Sequence, residues 1–431
     1  MQAMENVFLE NVIINNATYG YCRVNITIGN GIILNCEIIE KNCNSFCTND
    51  FLVTSGFVNG HLHPNQLLDR RLMDGLDTHS YLHKMHIDFE KTYEDRYSQA
   101  LFVLMDAIKS GATSIYSVAS HPMPVIDAYK AIGVKGAVSC FFNDQWETSD
   151  KAPKIVSISE IEENFKEFLS HKTDKLDIHI GAASIRASSD NLLVFLNNLA
   201  EKYKTKVNIH LSECQKDVSL CIKNRGTTPV RLLSKLGVLN SSWNLIHAVA
   251  IDREEIDIVA KNNASIIHCP VSNAKTGAGI APIGQLLASG VNIALGTDAC
   301  SNNNTNNILN EAYFASLLYS AKNNDPKTLS IDTIFKWLTI NGYRMLGKNQ
   351  SGEITGGEPA DLLLWELGKS SFVPICYGNF YSSIIYNAPD IKPHTVFIDG
   401  EKIVENYCFT KFDEKEVQQK SNVCAYKIYY H

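Results

Sequence analysis

Five residues of this chain are of types that hold a metal and work on a bound water: His61, His63, His210, His247 and Asp298. His61 and His63 form an H-x-H pair. On an extended segment, residues two apart point to the same side, so both imidazoles can share one ion without bending the backbone. Three neutral nitrogens and one carboxylate make a borderline-hard donor set suited to zinc or iron, with room left for a water. Taken singly, each histidine is the kind of residue that more often serves as an ordinary hydrogen-bonded core or surface group. Their joint placement is the informative feature, and it depends on the elements that carry them.

Apolar runs of strand length alternate with longer amphipathic stretches through the middle of the chain, the pattern of repeated βα units around a parallel sheet. Strands are predicted at Phe57 to Gly60, Thr113 to Val118, Val134 to Phe141, Leu176 to Gly181, Lys206 to His210, Trp243 to His247, Ser265 to His268 and Val291 to Thr297. Helical patterns lie between them, among them Asp95 to Ser110, Asp190 to Tyr203 and Arg253 to Lys261, and later Asn310 to Lys322 and Ile331 to Leu346. Eight such runs fit a closed (β/α)8 TIM barrel better than an open doubly wound sheet, whose Gly-x-Gly-x-x-Gly turn is missing after the first run. A barrel places its active site at the carboxyl ends of its strands, and all five metal-type residues fall there. Both chain ends carry short alternating runs, with a hairpin turn predicted at Asp399-Gly400, and are expected to fold together. The expected division is a β-sandwich domain from residues 1–54 with 353–431 and a barrel from 55–352.

The chain has 431 residues, 45% hydrophobic and 20% charged, so a packed interior is expected throughout and disorder is not. A formal net charge of −7 without a clustered Lys/Arg face argues against nucleic acid or an anionic membrane as partner and leaves a small molecule. No window has the length and apolarity of a membrane span, and the first ten residues lack the basic start and apolar run of a secretory signal. Twelve cysteines are scattered without a C-x-x-C pair, so reduced thiols in the cytoplasm are expected rather than a zinc ribbon or redox motif.

The runs Ser55-Gly56-Phe57-Val58-Asn59-Gly60-His61-Leu62-His63, Ile209-His210-Leu211-Ser212-Glu213, Leu245-Ile246-His247-Ala248, His268-Cys269-Pro270-Val271-Ser272-Asn273 and Leu295-Gly296-Thr297-Asp298 resemble, in order, the motifs of the amidohydrolase superfamily. The branch most similar comprises adenosine-type, guanine and triazine deaminases and chlorohydrolases, and the resemblance runs essentially the length of the chain. It implies one divalent metal ion, zinc first and iron as the alternative, held by His61, His63, His210 and Asp298. His247 would be a further ligand or a partner to the bound water, Asp298 would take that water's proton, and Glu213 would be the proton shuttle. The implied reaction is removal of an amino group from a small nitrogen heterocycle such as a purine, pterin or triazine. Hydrolytic dehalogenation, opening of a cyclic amide, or a barrel that has lost catalysis are the alternatives. A homodimer is the family's habit.

Departures from the family pattern bear on the substrate. A Gly-Pro-His turn that contacts adenine in relatives is replaced by Gly181-Ala182-Ala183-Ser184-Ile185-Arg186. An acidic residue and a Trp that hold ribose are replaced by His79-Ser80-Tyr81-Leu82, and the arginines that some relatives use for a carboxylate are absent from Cys140-Phe141-Phe142-Asn143-Asp144. A smaller, flatter and uncharged substrate is therefore expected, stacked near Phe141, Phe142 or Trp146, with Arg186, His121 or Gln66 as polar contacts. His268 either lines the pocket or packs around Pro270.

Overall fold

The computed structural model describes residues 6–80, 91–147 and 155–430. Tyr81 and Leu82 of the ribose-loop comparison lie outside the described residues. In chain order the strands are β1 (Val7–Asn16), β2 (Gly20–Gly29), β3 (Ile32–Glu40), β4 (Phe51–Ser55), β5 (Phe57–Leu62), β6 (Ala112–Ala119), β7 (Lys135–Phe141), β8 (Leu176–Ser184), β9 (Val207–Leu211), β10 (Trp243–His247), β11 (Ser265–His268), β12 (Asn292–Leu295), β13 (Leu362–Glu366), β14 (Thr395–Ile398), β15 (Glu401–Glu405) and β16 (Cys408–Phe409).

β5 to β12 pair in parallel in sequential order, which is the barrel. Its strands are buried on both faces, β5 and β6 along their whole length, so the runs are continuous rather than alternating. Closure comes where the last strand meets the first: Asp298 N–H donates to His61 O at 2.9 Å and Leu62 bridges Asp298. That seam brings together two metal-type residues 237 positions apart in the sequence. Gly296 lies on it, where an added Cβ would stand 2.6 Å from His61 Cβ, closer than two carbons can approach.

The chain ends build one separate eight-stranded sheet in the order β16-β15-β14-β13-β4-β1-β2-β3. Here burial alternates along β2, the mark of a sheet packed on one face. The hairpin turn forms at Asp399-Gly400 between β14 and β15, with φ of 47° and 73°, the left-handed pair that a two-residue turn requires. Lys135, the first residue of β7, ties barrel to sheet by Nζ bonds to Asp361 Oδ2 (2.9 Å) and Asp399 Oδ1 (2.7 Å).

The stretch predicted as one helix from Ile331 to Leu346 is two, Ile331–Leu338 and Ile340–Leu346. Thr339 breaks it with ψ of −102°, its hydroxyl donating to Phe335 O at 2.7 Å. A helix over Glu414–Tyr430, unannounced by the strand texture of that region, packs on helix Tyr93–Ile108, where Ser421 Oγ bonds Ser98 O. Among the described residues no helix is long and apolar enough to cross a membrane.

Candidate metal centre and its cavity

All five metal-type residues stand at the carboxyl end of the barrel. His61 is in β5 and His63 just beyond it, His210 is the penultimate residue of β9, His247 ends β10, and Asp298 follows β12 by three residues. The backbone there is unusual. Ser212, His247, Ala248 and Asp298 have φ between 48° and 74°, a region that costs a non-glycine residue on the order of 1–3 kcal/mol and that clusters at functional sites. Bonds from Ala248 N to Leu211 O (3.1 Å), Ala250 N to Ser212 O (2.9 Å) and Asp298 N to His61 O hold these turns.

The donor atoms converge. Nε2 of His61 lies 3.0 Å from Nε2 of His63 and 3.2 Å from Nε2 of His210, and the latter two are 3.3 Å apart. Asp298 Oδ1 is 3.3 Å from Nε2 of both His61 and His63. The remaining separation, His210 to Asp298, is wider and within 4.8 Å. Four donors about 2.0–2.1 Å from one tetrahedral ion stand roughly 3.3 Å from one another, so five edges match a zinc-sized ion and the sixth opens outward. Their charge states also fit. Burial pushes His61 down to about 3 and His210 well below its ordinary value, leaving neutral imidazoles. Burial alone would raise Asp298, but hydrogen bonds from His61 and His63 hold it well below the carboxylate range.

Supporting bonds fix which nitrogen faces the centre. His210 Nδ1–H donates to Ala183 O at 2.7 Å, leaving Nε2 with its lone pair inward. His63 Nδ1 is 3.3 Å from the Gln66 amide, whose other atom is 3.1 Å from Ser301 Oγ. Gln66 Nε2 is the atom on the His63 side and Oε1 accepts from Ser301 Oγ; a metal bound through His63 Nε2 would leave the proton on Nδ1 and call for the opposite turn of the amide. Asp298 Oδ2 accepts from Ser272 Oγ (2.5 Å) and Asn302 Nδ2 (2.9 Å).

His247 is outside the four-atom cluster. Its Nδ1–H donates to Asn273 Oδ1 at 2.9 Å, and Nε2 faces Glu213 Oε2 at 3.8 Å. Glu213 is buried, and that burial pushes its carboxyl up to about 7, with His247 and the Thr78 hydroxyl (3.2 Å from Oε1) pulling the other way. Both groups, with His63, His210 and Asp298, border a cavity of about 580 Å³. Phe141, Trp146, Arg186, His121 and Gln66 are on its walls too. His268 is not; it is buried, with Nδ1 lacking a hydrogen-bond partner. The Phe141 and His210 rings meet in a T (5.7 Å, 87°), and Arg186 covers one face of Trp146 at 4.7 Å.

Residues 52–403 match the model of the amidohydrolase family. The chain belongs to that family. Among relatives, it is 31% identical over 376 residues to a 5'-deoxyadenosine deaminase of Methanobrevibacter smithii, covering 86% of this chain and 85% of the relative. It is 28% identical over 368 residues to a 5-methylthioadenosine/S-adenosylhomocysteine deaminase of Caldicellulosiruptor saccharolyticus, covering 85% and 83%. In structure it is similar to a zinc-bound adenosine deaminase of Xanthomonas campestris (TM-score 0.88, 21% identity, 98% of each chain). An atrazine chlorohydrolase of Arthrobacter aurescens complexed with zinc is as close (TM-score 0.88, 18% identity, 97% of this chain and 99% of that one). At such identities the two structures speak for the fold alone.

This amidohydrolase holds functional residues that reading the sequence missed. Thr78 on Glu213, Asn273 on His247 and Ser272 on Asp298 are polar residues inside or beside the motifs, and that proximity was the available signal. Asn302 Nδ2 donates to the Asp298 carboxylate, and Asn303 Nδ2 donates to Thr297 O and to Glu311. Ala182 and Ala183, expected in a turn, lie within β8; lacking the adenine-contacting His, this stretch bonds internally, with Ala183 O on His210 and Ala183 N on Asn143 Oδ1. A second close group, His79, Cys214 and Asp217, is poorly placed for an ion because Arg186 Nη1 already donates to His79 Nδ1 at 3.2 Å.

Proposed function

We propose that this amidohydrolase removes an amino group from an aminated nitrogen heterocycle, with an aminated purine the leading candidate, using one zinc ion held by His61, His63, His210 and Asp298. The ion, when bound, supplies a water acidified toward neutrality and an electrophilic centre beside the ring. The remaining work falls to side chains. The ionised Asp298 takes the water's proton as attack on the amine-bearing carbon begins. His247, its Nδ1 proton committed to Asn273, orients the attacking oxygen through Nε2. Glu213, in its acid form, gives its proton to the ring nitrogen; the proton that Asp298 took passes to the departing amine, which leaves poorly unless protonated, and collapse of the adduct returns the hydroxyl proton to Glu213. Phe141 and Trp146 flank the ring, and Gln66 acts on His63 rather than on substrate.

The observation that carries this reading is a buried carboxyl raised to about 7, 3.8 Å from His247 on the cavity that the metal donors border. Such an acid favours a reaction whose leaving group departs poorly, as an amine does. The deaminase names of the relatives support the same choice. The reading extends to a cytoplasmic homodimer with a catalytic barrel over 55–352 and a supporting domain from 1–54 with 353–431. Twelve unbridged cysteines and the exposed Phe314, Leu317 and Tyr386 on neighbouring helices support the compartment and the association respectively.

The test is metal analysis of protein purified without added metal, followed by ammonia assay against aminated purines and their nucleosides, pterins and triazines. Near-stoichiometric zinc, and ammonia release that a chelator abolishes and zinc restores, are expected. Chloride or a ring-opened acid as the product transfers the site to dehalogenation or amide opening, and metal-free protein inert toward the whole panel overturns the proposal.

A further inference from the structure

The cavity is larger than a fused aromatic ring needs, and its charges are unevenly matched. Its carboxylates are engaged: Glu147 accepts from Arg225 Nε at 2.6 Å, Asp217 from His79 at 3.1 Å, Asp69 lies 3.8 Å from Lys91, and Asp298 and Glu213 belong to the reacting centre. Arg186 is compensated through His79, which links it to Asp217. Arg96 is different. It stands in the first turn of helix Tyr93–Ile108 and on the cavity wall, half-buried, and among the described residues no carboxylate lies within 4 Å of its guanidinium. The bonds it makes there are long, Nη2 to His121 Nε2 at 3.3 Å and Nη1 to Thr92 O at 3.5 Å. Burial pulls its pKa down from the ordinary value, yet a guanidinium stays charged in a protein.

The position is continuous with the metal centre. Asn65, two residues beyond His63, donates from Nδ2 to His121 O at 3.4 Å, and its backbone carbonyl accepts from Lys91 Nζ at 3.5 Å. One wall of the cavity therefore runs from His63 to a patch of Arg96 and Lys91. A partly desolvated cation without a counter-ion is costly, and a planar fork of N–H donors is matched by the paired oxygens of a carboxylate or phosphate.

We propose that the substrate carries an oxyanion substituent, carboxylate or phosphate, on or beyond its ring, and that Arg96 binds it with Lys91 adding charge. The inference rests on the deaminase reading and replaces the expectation of an uncharged substrate: the cation absent from the β7 loop arrives from the helix after β5.

Matched probes test it on the metal-loaded full chain: adenosine, its 5'-carboxylic acid and its 5'-monophosphate, and pterin with its 6-carboxylic acid. Ammonia release gives kcat/KM, and calorimetry gives binding of the inert deaminated products inosine and inosine 5'-monophosphate. The anionic members are expected to exceed the neutral ones on the order of 10- to 100-fold, less at high salt, as a charged hydrogen-bonded pair implies. Arg96→Gln brings that ratio close to one, chiefly through KM, and Arg96→Lys keeps part of it. The better of the two anionic adenosines identifies the oxyanion. If no probe releases ammonia while the product phosphate still binds through Arg96, the deaminase reading fails and the anion subsite stands. Preference for neutral members, failure of every anionic member to bind, or a preference surviving in Arg96→Gln overturns the inference.

Discussion

A carboxyl that must hand over a proton near neutrality has to be kept from ionising at its ordinary value, and burial does this to Glu213. The acid form is present below about 7 and is lost as pH rises through it, so kcat is expected to fall on that side. Glu213→Gln should remove this limb and lower kcat on the order of 10²- to 10⁴-fold with bound zinc retained. The pH profile of the variant decides: a limb near 7 that persists assigns the proton to another group. A stability effect of definite sign accompanies it. Between the ordinary carboxylate value and about 7 the native state holds one proton more than the unfolded chain, so stability declines across that window and the Gln variant should not show the decline. At this scale the clustering of His61, His63, His210 and Asp298 was legible because residue type and strand-end position coincide. Thr78, Asn273 and Arg96 were not, since nothing in the spacing says which hydroxyl, amide or guanidinium will reach a given atom once the strand-end turns are made. His268 shows the same limit, for a motif position did not tell a cavity wall from the packing behind it.

Elements were read well where their ends carry chemical punctuation. Helices Asp190–Tyr203 and Arg253–Lys261 match their predicted spans because Ser189 and Asp252 cap them by accepting from Leu192 N and Glu255 N. β10 and β11 match for a different reason, as short runs of strand length buried at every position. The break at Thr339 was hidden, since the apolar spacing of Ile334, Leu338 and Met345 continues through it while tertiary packing, with Gly342 pressed against Val58, sets the second axis. The seam between β12 and β5 is where an element can be tested. Gly296→Ala inserts a methyl 2.6 Å from His61 Cβ and 2.8 Å from His61 N, both of them within the strand that presents the first ligand and unable to swing away. It should cost about 1–3 kcal/mol, the range for overpacking a tight interior, and lower zinc occupancy as His61 is displaced. Urea unfolding and metal analysis of one preparation read both. Full zinc occupancy with unchanged stability is the result that would show the seam to be more pliant than its packing suggests.

For the whole molecule, the organising fact is that chain ends 300 residues or more apart in sequence share one sheet, so the barrel's two termini are delivered to the same side and fastened there. β4 leads into β5 and pairs with β13, and Lys135 at the start of β7 reaches across to Asp361, just before β13, and Asp399, just after β14, which lie side by side. Asp361 is fully engaged, with Oδ1 accepting from Asp399 N at 2.9 Å and Oδ2 from Lys135. A buried pair of this kind contributes little against an apolar replacement of both partners, but breaking it from one side strands a charge. Lys135→Met is therefore expected to destabilise the protein by about 3–5 kcal/mol, read as a lower urea midpoint. Adding Asp361→Asn should return much of that loss, because the amide carbonyl can still accept from Asp399 N while no unpaired carboxylate remains. Equal losses in the single and double variants would mean that Lys135 acts by packing its stem against the sheet instead of by its charge.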